Sequence, residues 1–430
     1  MLAASCACGL AHAKSTILLS RAVNTVSNGV LAPTGSGLFS VSEHGKHLQQ
    51  LTPFVAGAYY MPSWLAFQNY TSGVGYWLTT NLSPDGQSLM YLQFPSPEPT
   101  DDPYSGKYYE KNLKTGVTQA LFAGSDENAA PGDGYLAIDP ADGNVIAYAN
   151  SNSEYPPFTA PCVYLMQADG TDQRALWCAP GSISVPVWGQ PWSLAVSSLH
   201  WSGNGQKLMA YVSYTGEDLP PPPLGGPVGD STGYSALFVI DVATGTAVEV
   251  GANMVDPPSS DISYDGTKVI YQQYDATRCG NEDPTASGIS LCFKDLTTGK
   301  VTDLLPSTWS SQGGYGSWWE ADWYPEILLS PDGSQAAFTM RTAGSNSEDL
   351  YTIRTDGSGL HQLTTSTPSN TAWIPAAWSR DGTRILANRA TTPSSSQDQS
   401  WPSEIHMIKV SNGHDRFVTD GYALQWLQQP

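Results

Sequence analysis

Leu82-Ser83-Pro84-Asp85-Gly86, leading into Ser88-Leu89-Met90-Tyr91, is the stretch on which the fold turns. An apolar residue, a Ser, two variable positions and a Gly open onto an apolar strand. The Asp-Gly step supplies the positive φ of a tight hairpin turn. The unit returns at Asp139-Pro140-Ala141-Asp142-Gly143, Trp201-Ser202-Gly203-Asn204-Gly205 and Ile262-Ser263-Tyr264-Asp265-Gly266. It returns again at Leu329-Ser330-Pro331-Asp332-Gly333 and Trp378-Ser379-Arg380-Asp381-Gly382. An apolar strand follows each copy.

A second unit follows each of these: a strand, a turn ending in Gly, and another strand. Its glycines are Gly116, Gly170, Gly245, Gly299, Gly357 and Gly413. Two hairpins per repeat make four antiparallel strands. Four strands repeated about an axis make a propeller blade. A further hairpin opens the chain: Leu38 to Thr52 aligns without gaps on Leu350 to Thr364, with Leu38, Gly45, Leu48, Gln50, Leu51 and Thr52 recurring there. Ser15 to Arg21 reads as the strand before it, and Tyr422 to Leu427 supplies the missing first strand from the other end of the chain. The expected fold is therefore all-β: one seven-bladed β-propeller of four-stranded antiparallel blades over residues 14–430, its last blade closed by both termini.

These residues resemble the TolB-type seven-bladed propeller family. Its repeat carries a Ser-Pro-Asp-Gly turn, an apolar strand and a hairpin ending Leu-Thr. The turn is intact at Ser83 to Gly86 and at Ser330 to Gly333 and degenerate in the other copies. The resemblance covers Lys14 to Pro430. It implies the fold and, by likeness to TolB itself, a periplasmic setting. It does not imply one activity, because propellers of this kind serve as binding scaffolds, peptidase lids and lyases.

Composition narrows the partners. Of 430 residues, 41 are Gly and 32 Pro, which favours turns over long helices. Lys+Arg number 19 against 39 Asp+Glu, a formal charge of −20. A protein so acidic is a poor ligand for nucleic acid or anionic lipid. No apolar run reaches the ~18 residues of a membrane span. Residues 1–13 are small and apolar and end Ala11-His12-Ala13, an A-x-A pattern read as the remnant of a secretory leader. Cys162 and Cys178 flank the Asp169-Gly170 turn almost symmetrically, and Cys279 and Cys292 enclose a short polar loop. Two local disulfides are expected, with free buried thiols as the alternative, and they fit an exported protein, periplasmic or extracellular.

In a propeller the first-to-second and third-to-fourth turns share one face, and here they are short. The other connections share the opposite face and are long: Pro53 to Asn81, Ala179 to Leu199, Tyr214 to Ser235 and Pro306 to Pro325. Long loops in a compact domain tend to carry function. Ten of the 14 Trp map to that face: Trp64, Trp77, Trp188, Trp192, Trp309, Trp318, Trp319, Trp323, Trp373 and Trp401. Trp177, Trp201, Trp378 and Trp426 fall on strands, as core residues would. Aromatic loops stack on sugar faces or anchor protein partners, or they build a second small core. The expected ligand surface comprises Trp64, Trp77, Trp188, Trp192, Trp309, Trp318, Trp319, Trp323, Tyr324 and Trp373. Glu320 and Asp322 lie among them, and His200 is expected to open an innermost strand on the same side.

Other motifs weigh less. Gly229-Asp230-Ser231-Thr232-Gly233 matches G-x-S-x-G but sits in a proline-rich loop without the strand-turn-helix of a nucleophile elbow. Glu43, His44 and His47 fall at an ordinary hairpin tip. Arg21, Arg341 and Arg389 end equivalent strands and are expected to pair with carboxylates. No metal or cofactor is expected. Calcium at Asp101 and Asp102, or at Asp126, Glu127 and Asp133, lacks the spacing of an EF-hand. The expected role is a non-catalytic exported binding or scaffold module for a neutral glycan or a protein or peptide. A carbohydrate-active enzyme using Glu320, Asp322 or His200 is the alternative, and self-association through the aromatic face is a third.

Overall fold

The computed structural model describes residues 15–27, 30–52, 55–56, 58–62, 76–83, 85–93, 107–120, 136–141, 143–149, 161–180, 193–216, 232–252, 260–273, 279, 290–305, 327–341, 348–366, 371–391 and 403–428. Every regular element among them is a β-strand. The closing sheet has the order β3-β2-β1-β30, from β1 (Ser15–Ser27), β2 (Val30–Ser42), β3 (Gln49–Gln50) and β30 (Tyr422–Gln428), with β4 (Val55–Ala56) also on β2. The next runs β5 (Ala58–Pro62), β6 (Tyr76–Leu82), β7 (Ser88–Gln93), β8 (Lys107–Asn112), β9 (Thr118–Ala120). Then come β10 (Leu136–Ile138), β11 (Val145–Ala149), β12 (Cys162–Gln167) and β13 (Arg174–Cys178). The fourth sheet holds β14 (Ser193–Trp201), β15 (Lys207–Gly216), β16 (Thr232–Asp241) and β17 (Ala247–Ala252). The fifth holds β18 (Ser260–Ile262), β19 (Lys268–Gln273), β20 (Ser290–Asp295) and β21 (Val301–Asp303).

The last sheet has eight strands: β22 (Ile327–Leu329), β23 (Gln335–Arg341), β24 (Glu348–Arg354), β25 (His361–Gln362), β26 (Thr371–Trp378), β27 (Arg384–Thr391), β28 (Ser403–Lys409) and β29 (Asp415–Asp420). The architecture is an all-β propeller. Five sheets stand apart as four- or five-stranded blades, so the seven blades expected from the repeat are not seen as seven separate sheets. The cause is local: the parallel bridge Glu348↔Ala372 joins β24 to β26.

The core is a series of apolar layers between neighbouring blades. Leu165, Leu199, Trp201 and Phe238 fill the layer between the β10–β13 and β14–β17 blades. Leu18, Leu38 and Leu51 meet Leu82 and Leu89 where the closing blade touches the β5–β9 blade. Ile17, Leu19 and Trp426 meet Leu386, Met407 and Val418 on its other side. Trp373 and Trp378 lie in the layer with Leu350 and Leu363.

The repeat residues build this by hydrogen bonding. In four turns the Asp carboxylate (Asp85, Asp265, Asp332, Asp381) accepts from the Ser hydroxyl two residues before it and the N–H two residues after it. That Ser oxygen accepts the N–H that starts the next strand. Asn204 makes the same bonds through Oδ1, so the turn tolerates the amide. The gapless alignment holds at the level of single bonds. Leu38 N donates to Thr52 Oγ1 at 3.0 Å and Leu350 N to Thr364 Oγ1 at 2.9 Å. His47, opposite Gly359 in that alignment, takes the same left-handed backbone, at φ 60° against 71°.

Glycine serves two purposes here. The outer-hairpin glycines all have positive φ, from 66° at Gly413 to 85° at Gly357. Several also approach the neighbouring blade closely. A Cβ on Gly45, Gly245 or Gly413 would overlap the carbonyl oxygen of Val418, Leu176 or Leu363. At Gly116 and Gly299 a Cβ would meet nothing within 4 Å. In those two blades a lysine reaches the neighbouring rim: Lys111 Nζ donates to Leu51 O at 2.7 Å and Lys294 Nζ to Val250 O at 2.6 Å.

Three boundaries differ from expectation. The stretch expected as loop from Pro53 to Asn81 contains β4, β5 and most of β6, because backbone pairing to β2 and within the β5–β9 sheet does not require apolar alternation. The strand expected to end at Arg21 runs on to Ser27 and returns as β2. The disulfides are Cys162–Cys178 and Cys279–Cys292, and Cys162 and Cys178 are direct cross-strand partners in the β12–β13 register. Residues 1–13, expected as a leader remnant, lie outside the described residues.

The two kinds of glycine separate by mutation. Gly299→Ala should lower the unfolding free energy by about 1–2 kcal/mol, for left-handed backbone alone. Gly413→Ala should lower it further, because its methyl group must displace a backbone carbonyl. Equal losses in chemical denaturation would contradict the close-approach account.

Candidate functional site

Apart from β5, which pairs parallel with β6, the successive strands of each blade are antiparallel, so the two ends of each blade differ. The tight turns leave one end, and the longer connections leave the other. The longer connections are 53–75, which includes the short β4 and β5, and 94–106, 121–135, 150–161, 179–192, 217–231, 253–259, 274–289, 304–326, 342–347, 363–370 and 392–402. Together they hold 18 of the 39 acidic residues but one cation, Arg278. They also hold eight of the 14 Trp, and the tight turns hold none. At the tight-turn end the repeat carboxylates are spent inside their own turns. Bonds from Ser379, then Thr383, hold Asp381 down at about 2.

Trp64, Trp188, Trp192, Trp309, Trp318, Trp319, Glu320, Asp322, Trp323, Tyr324 and Trp401 lie outside the described residues, as do the acidic loops weighed for calcium. Trp77 has its backbone in β6 and its side chain outside the description. Trp373 is not an accessible ligand residue. It is the third residue of β26, only 6% exposed, and packs in the layer against the β22–β25 strands. The Arg389 guanidinium lies 5.6 Å from its ring centroid and bonds Glu404 at 2.9 Å. Arg21 pairs with Asp420 at 3.5 Å, from the middle of β1 rather than its end. Two of the three arginines thus have the expected structural partners; the Arg341 side chain lies outside the description. Glu43 pairs with Arg384 at 3.6 Å and its backbone carbonyl accepts from Arg416, which fits an ordinary hairpin tip.

His200 also departs from expectation. β14 begins at Ser193, so His200 is its penultimate residue, next to the Ser202 to Gly205 turn and away from the long connections. Its Nδ1 lies 3.3 Å from Asp261 Oδ1 on the inner strand of the next blade. Asp261 Oδ2 accepts from Leu329 N at 2.7 Å, one blade further on, and Oδ1 accepts from Ile262 N at 2.8 Å. Gln425 repeats the device: its amide oxygen accepts from Leu82 N and its nitrogen donates to Leu82 O. His200, Asp261 and Gln425 each stand just before the residue that enters the turn, or its Trp426 counterpart. At that following position, Trp201 Nε1 donates to Ala137 O at 3.0 Å and Trp378 Nε1 to Leu328 O at 3.1 Å. This ring of side chains laces the inner strands together. Asp261 and Gln425 were not singled out from the sequence, although repeat alignment would have placed them beside His200.

Burial sets the charge of the pair. It pushes the His200 imidazole down to about 4. It pushes the Asp261 carboxyl up to about 7, against the two backbone N–H groups that favour the anion. Among the described residues no cluster of three or more His, Cys, Asp or Glu is arranged to hold a metal ion.

The chain is similar to several solved structures. The β-propeller domain of the Trilobed protease from Pyrococcus furiosus is 10% identical over 94% of this chain and 95% of that one, at a TM-score of 0.49. Oligogalacturonate lyase from Vibrio parahaemolyticus is 9% identical over 94% and 85%, at 0.46. TolB from Acinetobacter baumannii is 14% identical over 81% and 70%, at 0.36. No family model matches the chain, and no curated protein matches it.

The pair has a pH signature. Folded Asp261 holds a proton that the unfolded carboxyl releases above 3.8, so its contribution to stability falls as pH rises from about 4 to about 7. Folded His200 stays neutral where the unfolded imidazole is charged, so its contribution rises from about 4 to 6.5. The two should nearly cancel in the native protein. His200→Gln should lose stability with rising pH over this range, and Asp261→Asn should gain it. Parallel denaturation profiles for the two variants would contradict the assignment.

Proposed function

We propose that the protein is an exported binding or scaffold propeller whose ligand docks at the long-connection end. The observation that carries this is that the connections at that end hold eight of the 14 Trp and one of the 19 Lys and Arg, beside tight turns whose carboxylates are internally bonded. Flat aromatic surface supplies affinity for sugar faces or protein anchors. The negative charge turns away nucleic acid and polyuronates and accepts neutral glycans, proteins or peptides. The disulfides fit an oxidising compartment.

Two finer statements belong to this proposal. We read the ring as seven blades, with the eight-stranded sheet counted as two; the apolar layer between its halves supports this reading. The chain is a TolB-type seven-bladed propeller, on the strength of its repeat. Catalysis at the same end is the alternative, with Glu320 and Asp322 as its carboxylates; His200, at the tight-turn end, is no longer a member of that set.

Neutral glycan arrays and peptide libraries probe the ligand. Replacing Trp318, Trp319 and Trp323 together with Ala should abolish whatever binding is found and leave the unfolding midpoint unchanged. Unchanged binding, or selective binding of a polyuronate, would overturn the assignment. Product released from a bound glycan, and lost in Glu320→Gln and Asp322→Asn, would establish an enzyme instead.

A further inference from the structure

β1 and β2 outrun the blade they belong to. Each has 13 residues, against seven in β30. β30 pairs with β1 only as far as Ser20↔Tyr422. Beyond that point β1 pairs, among the described residues, with β2 alone, out to Ser27↔Val30. A register shift between Val23 and Asn24 leaves Thr34 as an extra residue on β2. A bulge of this kind adds twist and bends the strand pair. The result is a two-stranded ribbon carried past the blade at its long-connection end.

The two edges of the ribbon are not alike. β4 pairs with β2 at Gly35 and Ser36, and Pro33 has no N–H to offer a further strand. Among the described residues no strand pairs with the β1 edge past Ser20, and that edge carries no Pro. Residues 22–27 contain no Pro, no Gly and no charged residue, and the whole stretch 22–36 is uncharged in a chain of net charge −20. Edge strands are normally blunted by charge, Pro, bulges or covering elements, because alternate N–H and C=O groups stand ready to pair.

We infer that the β1 edge, residues 22–27, pairs antiparallel with the same edge of a second copy of this chain. Antiparallel self-pairing about a two-fold axis matches each donor with an acceptor from an identical strand, so one surface serves both partners. The ribbon is also where two such acidic molecules can approach without placing like charges in the seam. Elsewhere the like charges repel, so added salt strengthens the association by screening. A contact with a cationic partner would weaken under the same salt.

Sedimentation velocity of the full chain tests this across concentration and salt. The expected result is a mass rising from one chain toward two, with the transition at lower concentration in higher salt. Thr25→Glu should lose the rise, because it puts like charges into one short seam, while Thr25→Gln should keep it and report that the ribbon still folds. The Trp318, Trp319 and Trp323 triple Ala variant should dimerise as the native chain does, which separates this contact from one through the aromatic end. A single-chain mass at all concentrations and salts would overturn the inference, as would a Thr25→Glu chain that dimerises like the native one.

Discussion

The pairing of β30 with β1 is the constraint on which the rest depends. Six residue pairs, from Ser15↔Gln428 to Ser20↔Tyr422, join the two ends of the described chain in one sheet. Ile17, Leu18, Leu19 and Trp426 are buried on the two sides of that sheet and feed both neighbouring apolar layers. Each such side chain contributes about 1.5–3 kcal/mol when buried. Without this sheet, the β5–β9 and β26–β29 strands would each lose a partner surface. Trp426 Nε1 donates to Ser15 Oγ, and Asn388 brackets Ala423 through both its amide atoms. The closing blade is held as the others are, by side chains that bond across to a neighbouring strand or blade.

This lacing makes the tight-turn end structural. Its carboxylates accept from their own turn, several of its glycines fit under the neighbouring rim, and its buried His and Asp bridge blades. The same account removes His200 and Trp373 from the set of ligand contacts. The proposed recognition surface is then the opposite end, where the covalent path of the chain collects most of the tryptophans and all but excludes Lys and Arg. The division is economical in physical terms. Connections of this kind vary in length and composition more readily than the strands they join.

Much of the fold was legible because the repeat encodes bonds, not only hydrophobicity. The Ser-x-Asp-Gly turn states its own hydrogen bonds, and the alignment of Leu38 to Thr52 on Leu350 to Thr364 survives as matched donors and acceptors. Cys162 and Cys178 were legible because the turn between them fixes the register. The β1–β2 ribbon was not, since Val23 to Ser36 has neither strict alternation nor charge. The position of His200 was missed because β14 begins seven residues before it, in a segment without the repeat's signature. Trp373 was misplaced for the opposite reason: proximity to a long connection in sequence does not say whether a ring turns into the seam. Asp261 and Gln425 become visible only when the strand ends are aligned, because their partners are backbone groups of other blades.

Native-state hydrogen exchange on β1 and β30 tests the closure most directly. If closure holds the ring, the protected amides of Leu18, Leu19 and Trp426 should exchange only through global unfolding, with the same denaturant dependence as the most protected strands of the other blades. Exchange of β30 through a separate, low-energy local opening that leaves the remaining blades protected would contradict it.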